Sequence, residues 1–564
     1  MPLVDFTGHG AVEAPRGATI LEAARLAGVV IESPCGGAGV CGKCKVRIGL
    51  DGTSSEKFPI DLDGTSNVKS PINHVLPDSE RKQGYVLSCV TEVLGDITVF
   101  TENREDNETL QILSSGKEAE LSLNPYITKR YDSNSSETIV YGGDEILVRE
   151  SGDTSLTSYG LSLDIGTTTL VLSLIDLNSG SELGSVSALN PQAVYAQDVL
   201  SRIKFASDDE GLKVMQSVLT TEINRMIDEL ARRYGIDNQY IYEVVYSGNT
   251  CMLHLATGAS PKSLGKYPYT PAISGGGIIR AESLGLNISK YGLVYLPPII
   301  SPYVGADITS GLLAVSLFER RGVTLFVDIG TNGEMALGAD GEIFAASTAA
   351  GPAFEGMNIS CGMRAGAGAI ERVEISNGNI SVKVIGDCEP SGICGSGLID
   401  AAGELVVNGV VGKNGRFAPP ENAAFTSNFI TIDGKTAFRL AGDVYLTQND
   451  IRQIQLAKGA IRAGIEFLLK ERCTSPEAVD SVLIAGSFGY HLRAQSLINI
   501  GLLPRGFAGK IEFVGNTSGT GGKAFLLDRR YRGEMEKKVK TIGALELANM
   551  DGFDRLFVKC LNYE

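Results

Sequence analysis

Apolar positions change rhythm several times along this chain. Over residues 3–50 they predict a strand, a turn, a helix, a cysteine-bearing loop and a second strand. Gly17 closes the turn, and Ala18 to Ala27 carries helical spacing through Leu21, Ala24 and Leu26 before stopping at Gly28. Lys45 to Ile48 alternates as a short strand, and residues 51–80 are polar enough for a surface insertion. Gly84 to Val90 and Asp96 to Phe100 add two strands, which together suit a small mixed sheet gripping one helix. A polar linker follows over 101–117, then a small middle segment over 118–157 with short apolar patches. From about residue 158 to 550, apolar strands alternate with amphipathic helices, the signature of α/β architecture, and 551–564 forms a tail. This long region repeats itself: Leu161-Ser-Leu-Asp-Ile-Gly-Thr-Thr-Thr-Leu170 is echoed by Leu325-Phe-Val-Asp-Ile-Gly-Thr-Asn-Gly-Glu334. The echo lies about one domain length away and predicts two similar lobes, over about 158–320 and 321–550.

Composition narrows the function. The 564 residues carry a net charge of −16 with no polybasic run, which argues against nucleic acid or an anionic membrane as partner. No signal-peptide pattern opens the chain and no run of about 18 apolar residues interrupts it, so a cytoplasmic protein is expected. Glycine supplies 68 residues, well above the usual share of about 7%, in clusters beside apolar runs where phosphate-cradling turns occur. Ten cysteines in an unsecreted chain point to a metal site rather than a disulfide framework.

Three of those thiols sit in Cys35-Gly-Gly-Ala-Gly-Val-Cys41-Gly-Lys-Cys44, and a fourth, Cys89, closes Gly-Tyr-Val-Leu-Ser-Cys. Four thiolates and a glycine-rich backbone that can fold tightly around two irons are what a 2Fe–2S cluster requires. A zinc knuckle would present two paired CxxC units, and here Cys41 and Cys44 alone are so spaced. The region resembles the β-grasp 2Fe–2S ferredoxins over about residues 1–100. Five residues separate the first two cysteines, against four in the plant type, so the plant potential is not implied.

Each Asp-Ile-Gly-Thr turn ends an apolar strand and starts a tight hairpin. Glycine admits close approach, while backbone N–H and threonine hydroxyl groups can donate to phosphate oxygens. The candidate phosphate and Mg²⁺ residues are Asp164, Gly166, Thr167, Thr168, Asp328, Gly330, Thr331 and Asn332. Asp307 reads either as a third carboxylate near the metal or as a solvated helix-start aspartate. Glu334 reads either as a water activator or as a surface carboxylate leaving its strand. Val482-Leu-Ile-Ala-Gly486-Ser-Phe-Gly489 runs an apolar strand into glycines and resembles the adenosine-binding motif of the acetate and sugar kinase, Hsp70 and actin superfamily. That resemblance implies ATP between two lobes, with Gly486 and Gly489 facing the adenosine. Gly395-Ser396-Gly397 is either a turn lining the same cleft or a plain helix start. Val514 to Gly519 is expected to be a strand-end turn, and His254 a structural histidine.

A kinase has no use for an iron–sulfur cluster, whereas moving one charge through 100 mV costs about 2.3 kcal/mol, so an uphill electron needs a drive such as ATP. The whole arrangement, with DIGTTT, SGNTCMLHL, VGADITSG, DIGTNGE, AAGPAFEG, CGMRAGAGAI and GICGSGLID, closely resembles the reductive activators of corrinoid proteins. The resemblance implies an N-terminal β-grasp 2Fe–2S ferredoxin domain, a linker and small middle segment, and a two-lobed actin-like (ribonuclease H-like) ATPase. It implies ATP-coupled transfer of one electron from the cluster to Co(II), regenerating Co(I) for methyl transfer. The implied partners are a corrinoid protein and a low-potential electron donor, and a homodimer is one assembly the family allows. Ser347 or Ser360, in the Gly-rich stretch from Ser347 to Arg364, is expected to approach the cobalt. Two other functions share parts of this architecture: an ATP-dependent electron donor to another low-potential enzyme such as a radical dehydratase, and a nucleotide-gated redox binding module.

Overall fold

The computed structural model describes residues 1–29, 31, 39, 44–49, 67–71, 76, 78–100, 123–376, 378–419, 425–432, 434–486 and 492–564. The expected linker, Cys35, Cys41 and Gly489 lie outside the described residues. The chain forms two compact units, one of Met1–Thr109, Pro191–Phe205 and Thr431–Lys435, the other of the remainder.

In the first unit the alternation seen in the sequence becomes a one-sided sheet. Strand β1 (Leu3–Phe6) turns Val4 and Phe6 fully inward and leaves Leu3 and Asp5 outside. It pairs antiparallel with β2 (Gly10–Glu13) and, with β3 (Lys45–Gly49), β5 (Tyr85–Leu87) and β7 (Ile97–Phe100), builds a sheet in the order β2-β1-β7-β3-β5. Two short strands, β4 (Val68–Lys69) and β6 (Glu92–Val93), pair separately. The β1–β7 pair is parallel and the others antiparallel, giving the expected mixed sheet. The helix runs Ile20–Leu26, because the Thr19 hydroxyl accepts from Glu22 N–H while the Glu22 carboxylate accepts from Thr19 N–H. Such a reciprocal cap stabilises a helix start by about 1 kcal/mol. The helix buries Ile20, Leu21, Ala23 and Ala24 against the sheet.

The second unit opens with three antiparallel strands, β8 (Ile127–Asp132), β9 (Glu137–Gly142) and β10 (Glu145–Ser151), in the region expected to be a small middle segment. Tight turns join them, one with Ser136 at φ 54° and the other with Gly143 at φ 64°.

Two six-stranded sheets then share one five-strand topology, each completed by a sixth strand at a different edge. The first contains β11 (Tyr159–Ile165), β12 (Thr169–Asp176), β13 (Glu182–Leu189), β14 (Ile241–Gly248), β15 (Gly277–Arg280) and β16 (Leu293–Leu296), in the order β13-β12-β11-β14-β16-β15. The second is built on β17 (Val323–Ile329), β18 (Gly333–Ala339) and β19 (Glu342–Thr348). Two small three-stranded sheets intervene: β20 (Ala369–Ser376), β21 (Asn379–Val384) and β22 (Gly392–Ile393), then β23 (Phe429–Ile432), β24 (Lys435–Ala441) and β25 (Val444–Thr447). Strands β26 (Ser481–Ala485), β27 (Ile511–Gly515) and β28 (Gly543–Leu545) complete the second large sheet, in the order β27-β26-β17-β18-β19-β28. In each lobe an antiparallel meander pairs its first strand, β11 or β17, with a later parallel strand, β14 or β26.

The helices after β16 and β27, Ala306–Ala314 and Thr517–Leu527, touch backbone to backbone. A Cβ on Gly521 would lie 1.9 Å from the Ser310 carbonyl oxygen, so only glycine fits there. Strand β14 is buried along its whole length, yet it contains Glu243. The Arg532 guanidinium meets that carboxylate at 2.8 Å and packs over the rings of Tyr126 and Tyr295. Breaking a buried pair leaves one charge uncompensated. Arg532→Ala should therefore destabilise the second unit by about 3–5 kcal/mol, read as an earlier urea transition. The double change Glu243→Leu with Arg532→Met should cost much less, and equal losses would refute this account.

Candidate nucleotide and metal site

The twin turns are built alike. Strand β11 delivers Asp164 and the chain reverses so that Gly166 N–H donates to Thr169 C=O at 3.0 Å; β17 delivers Asp328 and Gly330 N–H donates to Asn332 C=O at 2.9 Å. These two glycines therefore commit their own N–H groups to the turns. A Cβ on Gly166 would meet Thr169 C=O at 2.5 Å. Both turns open at the carboxyl ends of parallel strand pairs, where α/β sheets bind ligands.

They line one cavity of about 520 Å³, together with Thr167, Thr168, Thr331, Asn332, Asp307 and Glu334. Asp307 stands in the first turn of its helix, its carboxylate accepting from Ile308 N–H at 2.8 Å, and it also faces the cavity. Asp307 is thus a helix-start aspartate on the cavity wall. Glu334 lies directly across the hairpin from Asp328 and is only 6% exposed, so it is no surface carboxylate.

The three aspartates are half-buried on the cavity wall, and their carboxyls are held above the ordinary range. Burial pushes Asp164 up to about 6, opposed by hydrogen bonds from Ser518 and Asn516. Burial and then the Asp164 charge bring Asp307 to about 7. Asp328 reaches about 8 through burial, Asp307 and Asp164. Glu334 is raised well above its usual value by burial and by its neighbours Asp307 and Asp328. Such a cluster is relieved by protons or by a divalent cation. Among the described residues no three carboxylates converge closely enough to hold a metal directly. That donor set suits Mg²⁺, which keeps waters and takes one or two carboxylates plus phosphate oxygens.

Several lining residues come from elements far away in sequence. The Ser518 hydroxyl donates to Asp164 at 2.8 Å from the start of the helix Thr517–Leu527, where Asn516 is the cap. The stretch Val514 to Gly519 is thus the end of β27, a cap and a helix start, with Asn516 and Ser518 on the cavity wall. Asn249 caps the helix Thr250–Thr257 and donates to Thr167 Oγ1 at 3.2 Å. Glu355 and Arg364 bring charge to the wall from the Gly-rich stretch. Gly395 and Ser396 line the cavity at a helix start, while Gly397 packs against the Ile370 carbonyl. Gly486 also lines it, with φ 121° and no room for a Cβ beside Ile329 C=O. His254 accepts from Ala272 N–H at Nε2, so Nδ1 carries the proton and donates to Thr250 C=O at 2.7 Å. That neutral, fully bonded imidazole is structural, and burial lowers its pKa. Ser347 lies on β19 opposite Glu334, and Ser360 is exposed, its N–H donating to Asp450 at 2.8 Å.

In the first unit, Cys44 and Cys89 are buried with their sulfurs 3.2 Å apart, close enough to reach one metal ion. The hydrogen bond with Cys89 is the main influence bringing the Cys44 thiol down to about 6. It favours the thiolate, the form that binds metal.

The raised carboxyls carry a pH signature. Unfolded, such acids titrate near about 4, so the folded protein holds extra protons from about pH 4 to 8 and loses stability as pH rises across that window. A cation that binds the ionised forms stabilises more as they ionise. The Mg²⁺-induced rise in melting temperature should therefore be larger at about pH 8 than at about pH 5.5. Asp328→Asn should flatten that difference; equal gains at both pH values in the unaltered protein would contradict the assignment.

Comparison with known proteins finds matches along most of the chain. Residues 7–94 match a 2Fe-2S iron-sulfur cluster binding domain, 159–320 the RACo middle region, and 322–564 the C-terminal domain of RACo, the ASKHA domain. The chain is 34% identical over 403 residues to the corrinoid activation enzyme RamQ of Eubacterium limosum, covering 69% of this chain and 68% of that one. It is 26% identical over 447 residues to a Co(II) methylated amine-specific corrinoid protein reductase of Methanosarcina barkeri, covering 72% and 77%. A solved reductive activator for corrinoid, iron-sulfur protein superposes with a TM-score of 0.73 at 31% identity, over 100% of this chain and 98% of the other. With a 2Fe–2S domain joined to an actin-like ASKHA domain, this chain belongs to the reductive activators of corrinoid proteins.

Proposed function

We infer that this enzyme uses ATP to return an inactive Co(II) corrinoid protein to the nucleophilic Co(I) state. The observation that carries the reading is the recess in which the two Asp-Ile-Gly-Thr hairpins and the helix start at Asp307 gather Asp164, Asp307, Asp328 and Glu334 beside threonine hydroxyls. Thr167, Thr168 and Thr331 would donate to phosphate oxygens, Asn332 would add an amide, and Asp164 and Asp328 would hold Mg²⁺ through water. Gly395, Ser396 and Gly486, with Gly489, would border the adenosine. Glu334, buried across the hairpin from Asp328 and lining the same recess, would take the proton from attacking water. ATP and water would leave as ADP and phosphate.

The thiolates of Cys44 and Cys89, with Cys35 and Cys41, would hold the 2Fe–2S cluster. When bound, that group supplies the single electron that converts Co(II) to Co(I). A low-potential donor must then restore it. Ser360, exposed on the Gly-rich stretch, and Ser347 are the proposed residues nearest the corrinoid. ATP can drive the step only by interacting differently with the states before and after transfer. Among the described residues no helix is long and apolar enough to cross a membrane, which suits a cytoplasmic site of action.

The reduced protein, purified without oxygen, should be mixed with a Co(II) corrinoid protein with and without MgATP while the visible spectrum is followed. Co(I) bands should grow with MgATP. Cys41→Ala should abolish them, and Asp328→Ala should slow the ATP-dependent rate by about 10²–10³-fold. Equal Co(I) formation with and without MgATP would overturn the ATP-coupled reading.

A further inference from the structure

Glu355 ends the short turn Pro352–Glu355 that follows β19. One oxygen of its carboxylate accepts from Thr168 Oγ1 at 2.5 Å, and the other accepts from Thr331 Oγ1. Thr168 belongs to the first Asp-Ile-Gly-Thr turn and Thr331 to the second, so a single carboxylate spans both lobes' turns. Two anionic oxygens, each taking a hydroxyl proton from a different turn, reproduce what a phosphoryl group would do in the same place.

We propose that Glu355 is an internal competitor for nucleotide phosphate: its carboxylate occupies the two threonines, and phosphate binding exchanges it for phosphoryl oxygens. This rests on the nucleotide reading of the cavity. The exchange is a rotation of the Glu355 side chain, because the backbone beside it is fixed. Phe354 is 1% exposed in the second lobe's core, and its carbonyl lies against Gly395, where a Cβ would approach to 1.8 Å. On the other side, a Cβ on Gly362 would lie 1.9 Å from Gly356 C=O, which pins the following loop. Glu355 is half-buried and lines the cavity, so the side chain has space on that side. Its role is to position: it keeps the two turns in register and sets how strongly a phosphate must bind to take them over.

The test is the affinity of full-length protein for a non-hydrolysable ATP analogue with Mg²⁺, measured by calorimetry for the unaltered chain, Glu355→Ala and Glu355→Asp. Aspartate keeps the charge but is one methylene too short to reach both hydroxyls. Removal of two charge-assisted competing bonds should tighten binding about tenfold in Glu355→Ala, and several-fold in Glu355→Asp. Melting temperature should fall in both variants without nucleotide and recover to that of the unaltered chain at saturation. Weaker binding in either variant would mean that Glu355 contacts the nucleotide or its cation directly, and the competitor role fails. Tighter binding in Glu355→Ala with Glu355→Asp unchanged would reduce the effect to charge repulsion, and the competitor role fails there too. If the unaltered protein binds no analogue at all, the nucleotide reading falls first and takes this one with it.

Discussion

Like charges crowded into a recess set the terms for this structure. Asp164, Asp307, Asp328 and Glu334 come from two hairpins and a helix start, and each raises the energy of ionising another. No fold would gather them for stability, since desolvated carboxylates oppose the compact state unless protons or a cation neutralise them. Their convergence makes sense as a site that expects a cation with its own anionic ligand. The surrounding architecture can be read as the means of holding that arrangement against its own repulsion. Ser518 and Asn516 bond Asp164, and Ile308 N–H bonds Asp307.

The frame beneath the recess is stiff for a similar reason. The helices that start beside Asp307 and Ser518 meet at Gly521 with no side chain between them. The Ser247 and Ser310 hydroxyls add a bond at 2.8 Å, and Ser162 donates to Gly519 C=O at 2.9 Å. Both turn-bearing sheets are therefore tied through backbone and small hydroxyls, where a shift of a few tenths of an ångström is resisted. Stability and site geometry share these contacts.

Much of this was legible in the chain. Strands β3, β5 and β7 begin or end within about two residues of their expected bounds, as is usual for boundaries, whereas β2, β4 and β6 were not expected; the helix start at Ile20 follows from the Thr19–Glu22 cap. The duplicated Asp-Ile-Gly-Thr turns announced two lobes because a tight hairpin leaves its residues adjacent in sequence. Glu334 could have been placed from the same signal: a hairpin tight enough to close on Gly330 sets Asp328 opposite Glu334. Ser518 and Glu355 could not, since they reach the cavity from distant elements whose approach depends on packing. The middle strands were missed because their half-exposed faces carry little periodic contrast.

Aligned residue for residue, Asp164, Gly166 and Thr167 match Asp328, Gly330 and Thr331, but Leu170 stands where Glu334 does. Leu170 is fully buried, whereas Glu334 lines the cavity. A recess built from two equal halves would present the same face to a ligand arriving in either of two orientations. Glu334 adds a carboxyl at a register position where the first lobe has leucine, and the first lobe's second carboxyl, Asp307, comes from a helix start instead, so the two halves set their charges at different places. A molecule with a charged end and a neutral end meets a site with a direction. Repetition of the fold supplied a symmetric frame, and one register position gave it a head and a tail.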